Sequence, residues 1–160
     1  MRYTTFILTG AMLALPIAGL AQEAEGRYAT HDGVETVQEL PDGTTVQMTR
    51  YSQISFADDA SHPLDNTSSE CVGRFHVAAD GSLISGDGMC SSFGAGGDTN
   101  SWWWRVDHSG TDDCPDLCGS WGYFNGSGKF AGIEGSGTWV RTTVFPNGSS
   151  GTWKGLAKVK

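Results

Sequence analysis

Between Thr44 and Phe56 the chain alternates with period two: Thr45, Gln47, Thr49, Tyr51, Gln53 and Ser55 are polar, while Val46, Met48, Ile54 and Phe56 are apolar. Alternation of this kind marks a strand with one wet and one dry face, so the apolar set is expected to face the core. Arg50 and Ser52 fall on that dry side. Residues 34–40 form a second strand, joined to the first across Pro41, Asp42 and Gly43, which have hairpin-turn composition.

The same signals recur downstream. Asp80-Gly81 separates two strand-like runs, 71–78 and 82–90, and is a two-residue hairpin turn by composition. Residues 57–69 and 109–118 read as polar loops, 93–100 as a glycine-rich turn, and 121–124 as a short strand. Residues 101–108 form a strand in which Trp102, Trp104 and Val106 alternate with Trp103, Arg105 and Asp107; the first set is the better inner face because the second carries both charges. After 138–145, Pro146, Asn147 and Gly148 turn the chain into a last strand, 149–159. A three-residue turn there pairs Arg141 with Trp153 and Trp139 with Gly155, avoiding the like-charge pair Arg141 and Lys154 that a two-residue turn creates.

Residues 125–139 are interrupted by glycine too often for a helix, with glycines at 122, 126, 128, 132, 135 and 137, and carry Phe130, Ile133 and Trp139 at intervals too short for a linker. They are expected to be strand that bends sharply. No segment has helical period, so the fold class is all-β: a single antiparallel up-and-down barrel of about eight strands, closed to remove its edges.

The run Gly128, Lys129, Phe130, Ala131, Gly132, with Gly135 and Gly137 after it, resembles the glycine-rich signature of the allene oxide cyclase and dirigent-like β-barrels. That resemblance, over 126–155, implies a calycin-like eight-stranded barrel around a mostly apolar cavity that folds a reactive substrate. It carries over no catalytic residue, because none of the family's functional positions maps onto 34–56 by motif. Two disulfides and a triple tryptophan depart from the family's pattern.

Composition narrows the partners. Arg2, an apolar stretch from Phe6 to Gly19 and the small residues at 19–21 form a cleavable export signal, so residues 1–21 are set apart from the fold. Residues 22–32 are polar and unpatterned and read as a flexible leader, with the barrel domain at 33–160. The whole chain has a net charge of −8, which disfavours a nucleic-acid backbone as partner, and the mature chain has no stretch apolar enough to span a membrane as a helix. Its oligomeric state is not legible.

Four cysteines in an exported chain, periplasmic or extracellular, form two disulfides. In the Asp80-Gly81 register opposed residues sum to 161, as 71 and 90 do, so Cys71 is expected to bond Cys90 and Cys114 to bond Cys118. Cys114 and Cys118, with His108, Asp112, Asp113 and Asp116, also look superficially like a metal loop, but no second Cys/His pair lies at zinc spacing and neither metal nor cofactor is expected.

The candidate ligand-binding residues are Arg50, Glu134, Trp102, Trp104 and Trp139. Arg50 on an apolar face needs a carboxylate, water or an anionic ligand, with Glu134 the internal acid to pair with it; a bulge that turns Arg50 outward is the alternative. The tryptophans either line a pocket or fill it. Arg74, His76, Ser85 and Asp87 share one face of the Cys71 hairpin, suited to proton transfer or simply to solvent. Sequons at Asn66, Asn125 and Asn147 do not discriminate between these. Three functions remain: a barrel binding a small, largely apolar molecule, a cofactor-independent cyclase or isomerase, or a solid structural barrel.

Overall fold

The computed structural model describes residues 21–94, 96–111 and 114–159, without the side chains at 34, 108–111 and 115. The export signal (1–20 of its 21 residues), Asp112, Asp113 and the His108 side chain therefore lie outside what is described. Eight strands follow one another: β1 (Gln22–Glu39), β2 (Thr45–Ala57), β3 (Thr67–Val77), β4 (Leu83–Phe93), β5 (Thr99–Thr111), β6 (Cys114–Gly126), β7 (Glu134–Phe145) and β8 (Gly148–Lys158). Each pairs antiparallel with the next, and β1 also pairs with β8, from Gln22 opposite Ala157 to His31 opposite Gly148. The result is the closed up-and-down barrel expected from the pattern. No helix among the described residues is long and apolar enough to cross a membrane.

Local chemistry fixes the hairpins. In the β1–β2 and β3–β4 turns, Gly43 and Gly81 adopt φ of +82° and +85°, a conformation that side chains with a Cβ rarely adopt. The preceding aspartates close these turns: Asp42 accepts from the Thr44 backbone N–H at 3.1 Å and Asp80 from that of Ser82 at 2.9 Å. Beyond the second turn the expected register holds, with Arg74 opposite Asp87, His76 opposite Ser85 and Cys71 opposite Cys90. Both disulfides form as expected, Cys71–Cys90 and Cys114–Cys118.

Several expectations need correction. The supposed leader is the first half of β1, held by ladders to both β2 and β8 although it lacks apolar period. The loop at 109–118 is largely strand, since β5 runs to Thr111 and β6 restarts at Cys114. The glycine-rich segment is not one bent strand: β6 ends at Gly126, a 3-10 turn at Gly128–Phe130 buries Phe130 completely, and β7 begins at Glu134. The β7–β8 turn is not the expected three-residue one, since Phe145 stands opposite Gly148, and a bulge between Arg141 and Thr143 shifts the register once more, so Arg141 faces Gly151 and Trp139 faces Trp153.

The largest correction is that β2 presents its faces the other way round. Met48, Ile54 and Phe56 are 40–50 % exposed on the outside, while Gln47, Thr49, Tyr51, Gln53 and Ser55 point inward. Parity is set by the neighbours: Tyr51 stands opposite Cys71, Cys71 opposite Cys90, and Cys90 opposite Trp102. The disulfide and the indoles cluster inside, so every second residue of β2 counted from Tyr51 goes in with them. Arg50 consequently points outward, level with the exposed Val72 and Met89, and needs no internal counter-charge.

Two clusters fill the interior. Leu64, Phe130, Ile133 and Ala157 plug the end formed by the 58–66 and 127–133 connections. Cys71, Cys90, Trp104 and Trp121 form the other, higher in the barrel, with Tyr51, Phe75 and Trp139 packed against it.

Candidate functional site

Between the plug and the opposite, open end lies a cavity of about 290 Å3. Its two sides differ in kind. Strands β1–β3 contribute Thr30, Asp32, Glu35, Gln47, Thr49, Gln53, Ser55, Thr67 and Ser69, with Tyr28, Tyr51 and Phe75 among them. Strands β5–β8 contribute Trp102, Trp104, Trp121, Tyr123, Trp139 and Trp153.

Glycines make the aromatic wall possible. A Cβ at Gly88 or Gly73 would come within 2.6 Å of the Trp104 ring, one at Gly119 within 2.7 Å of Trp139, and one at Gly155 within 2.7 Å of Trp121. The indoles therefore lie against bare backbone of the neighbouring strands, where any other residue would push them into the cavity. They then meet edge to face: Trp104 and Trp139 at 6.3 Å and 88°, Trp121 and Trp153 at 6.1 Å and 85°.

Most of the polar groups are tied down. The Trp102 indole donates to Ser92 Oγ at 2.8 Å, which lies 2.7 Å from Ser69 Oγ. Trp121 and Trp139 donate to the backbone oxygens of Thr138 and Ser120 at 3.2 and 3.3 Å. At the mouth, Arg141 donates to both carboxylate oxygens of Asp116, one of them at 2.7 Å from Nη2. The Arg141 hydrogen bonds hold the Asp116 carboxyl below its ordinary pKa despite some opposing desolvation. The Cys114–Cys118 bond brackets Asp116 and the cavity-lining Leu117 on β6.

The tyrosines are neutral donors. Burial raises the pKa of Tyr28 well above the usual phenol range, against the lowering effect of Arg141 and with a further rise from Asp116. Burial does the same for Tyr51 and Tyr123. The carboxylates of Asp32 and Glu35, exposed at the rim, make no hydrogen bond or ion pair among the described residues. The mouth thus combines two free carboxylates with a neutralised Arg141–Asp116 pair.

Of the residues singled out in the sequence, Trp102, Trp104 and Trp139 line this cavity. Arg50 is outside it, and Glu134 is exposed at the start of β7 opposite Lys158, so the two are not brought together. On the hairpin face, Arg74 and Asp87 form an exposed ion pair at 2.7 Å and His76 Nε2 lies 3.0 Å from Thr44 Oγ1, with no cleft between them. Sequence reasoning missed Tyr28, Asp32, Glu35, Tyr51, Asp116 and Arg141. The parity of Cys71 against Tyr51 was the one signal that could have placed part of that set inside.

The eight-stranded closed barrel has a counterpart among solved structures. A pterocarpan synthase dirigent protein superposes with a TM-score of 0.50 and 13% identity, over 98% of this chain and 100% of that one. The fold is a dirigent-like barrel. A second pterocarpan synthase dirigent protein gives a TM-score of 0.47 and 12% identity, over 86% of this chain and 96% of the other. At such identities the likeness is one of fold alone. No family model matches the sequence, and no curated protein does.

Proposed function

We propose that this protein is an exported barrel that binds one small, largely apolar ring compound in the dirigent-like cavity. The observation that carries this is the aromatic wall of β5–β8, held open as a cavity of about 290 Å3 rather than collapsed onto the opposite wall. That volume sits at the lower edge of the roughly 300–1,000 Å3 range of small-molecule sites, and apolar lining with a few placed polar groups is their usual make-up. The glycine-rich run at 128–137, similar to the allene oxide cyclase and dirigent-like signature, agrees with such a role. Two disulfides and the N-terminal apolar segment agree with a periplasmic or extracellular site of action.

Native mass spectrometry of protein purified from its own host tests this directly. A bound mass lost on unfolding and identified as a small ring compound is the expected result. Absence of any bound mass, together with no response of tryptophan emission to a panel of small aromatic and alicyclic rings, overturns the proposal.

A second reading is a cofactor-independent cyclase or isomerase. It is favoured by the acid–base groups gathered at the mouth, where Asp32, Glu35 and Arg141, itself bonded to Asp116, line the same cavity as Tyr28. Conversion of the co-purified ligand on incubation, abolished by Asp32→Asn or Arg141→Gln without loss of binding, distinguishes enzyme from binder.

A further inference from the structure

Among the cavity-wall donors that lack an adequate acceptor in the described residues are the Trp104 and Trp153 indoles and the Tyr51 hydroxyl, and of these Trp104 and Tyr51 lie in ring contact. Trp104 is only 6 % exposed, yet its indole Nε1 has no hydrogen-bond partner. Beside it the Tyr51 hydroxyl has Cys90 Sγ, at 4.0 Å, as its hydrogen-bond partner among the described residues, and a sulfur is a weak acceptor. The two rings are in contact, with centroids 6.4 Å apart at 59°, and the indole N–H approaches the phenol oxygen without closing a hydrogen bond to it. Asp32 stands opposite Tyr51 in the β1–β2 ladder but does not accept from it.

Three of the other cavity indoles set the contrast, whereas the Trp153 indole, like that of Trp104, is unpartnered. Trp102, Trp121 and Trp139 each donate to a protein oxygen at 2.8–3.3 Å. Buried donors are almost always paired, so an unpaired one that lines a cavity marks a place where the missing acceptor belongs to something else. Burial keeps the Tyr51 phenol protonated, which makes it a donor and not an anion.

We infer that Tyr51 and Trp104 form the receptor for an acceptor oxygen on the bound ring: the Tyr51 hydroxyl donates to a carbonyl or ether oxygen of the ligand, and the Trp104 N–H donates to the Tyr51 oxygen from behind. This rests on the small-ring reading above and specifies its chemistry. Tyr51 is the specificity-determining residue and Trp104 a positioning residue. The oxygen belongs to a neutral group, because a carboxylate placed there would be desolvated with no cation to meet it. Arg141, the cavity's cation, is committed to Asp116.

The matched pair 1-indanone and indane tests this, since the two differ only in the carbonyl. Both are titrated by calorimetry and by the indole N–H resonances of tryptophan-labelled protein, using wild type, Tyr51→Phe and Trp104→Phe. Wild type is expected to bind the ketone about tenfold more tightly, the worth of one neutral hydrogen bond. Tyr51→Phe should bring that ratio close to one, whatever it does to the affinity for either ring alone. The Trp104 Nε1 proton, assigned by its disappearance in Trp104→Phe, should move downfield with the ketone and not with the hydrocarbon, a response that mere packing would not give. Should Trp104→Phe fail to fold, the Tyr51→Phe ratio decides alone. Equal wild-type affinity for the two rings, or a ketone preference that survives Tyr51→Phe, overturns the acceptor receptor and leaves the ring-binding proposal standing. If neither ring binds, the ring-binding proposal falls and takes the receptor with it.

Discussion

The two sides of the cavity solve the same steric problem in opposite ways. On β1–β3 the inward positions carry short or flexible polar chains, such as Thr30, Thr49, Gln53 and Ser69, which fill little space and tolerate water. On β5–β8 they carry indoles, of which Trp104, Trp121, Trp139 and Trp153 are laid over a glycine of a nearby strand. The barrel therefore derives its internal packing mainly from one half of its circumference, and the other half keeps the space open. Rigidity and room are assigned to different strands.

If this division is real, the two walls must differ in what they contribute to stability. Trp104→Ala should cost about 3–5 kcal/mol in urea unfolding, because it empties a nearly buried indole site between Gly73 and Gly88. Gln53→Ala, on the polar side, loses one partly buried hydrogen bond to Ser55 at 3.0 Å and should cost about 1 kcal/mol or less. Equal costs would erase the distinction between the walls.

The disulfides offer a second comparison. Cys71–Cys90 joins β3 of the polar side to β4 beside the aromatic side, across a separation of 19 residues, whereas Cys114–Cys118 spans 4. Chain-entropy arguments give about 3 kcal/mol for the longer loop and about 2 kcal/mol for the shorter. Replacing each pair with alanines and comparing denaturation midpoints should preserve that order; the reverse order would mean that local packing around Asp116 outweighs loop length.

At the mouth the expected effect is smaller and depends on pH. The Asp116 pKa is depressed in the folded state, so the ion pair contributes fully above the ordinary carboxylate range, from about pH 5 upward, and its contribution fades as pH falls through the folded pKa. Melting curves of wild type and Arg141→Met should consequently converge between pH 5 and pH 2, to be checked by circular dichroism. Curves that stay parallel would show that Arg141 acts through packing alone. Smallest of all is Arg50→Met. The side chain is exposed on the outer face, so its replacement should shift stability by no more than about 0.5 kcal/mol and leave ring binding unchanged; a loss of binding would place Arg50 back in the site.

Much of the fold was legible because turns and cysteines act locally. Asp80-Gly81 and the symmetry of 71 and 90 about it were enough to set a register that the barrel keeps. The faces of β2 were not legible, since alternation gives a period but not a sign: a cavity can invert the usual rule by lining itself with Thr and Gln while Met48 and Phe56 face out. The first half of β1 was missed for a related reason. Its side chains face either a polar cavity wall or the outside, so it carries no apolar repeat to announce a strand. The tryptophans of the site could be picked out by residue type and strand parity. Arg141 and Asp116 could not, because 25 residues separate partners that only the β6–β7 pairing brings together.

The ladder between β1 and β8 ties residues near position 22 to residues near position 157. Every other neighbouring pair of strands can zip as a hairpin soon after it emerges, but the seam must wait for all the strands between β1 and β8, and contacts at such sequence separation form slowly. Until the seam closes, both terminal strands present unpaired edges, so a nascent or partly threaded chain stays open and pliable. Strand β8 has to be made before this barrel can have an inside.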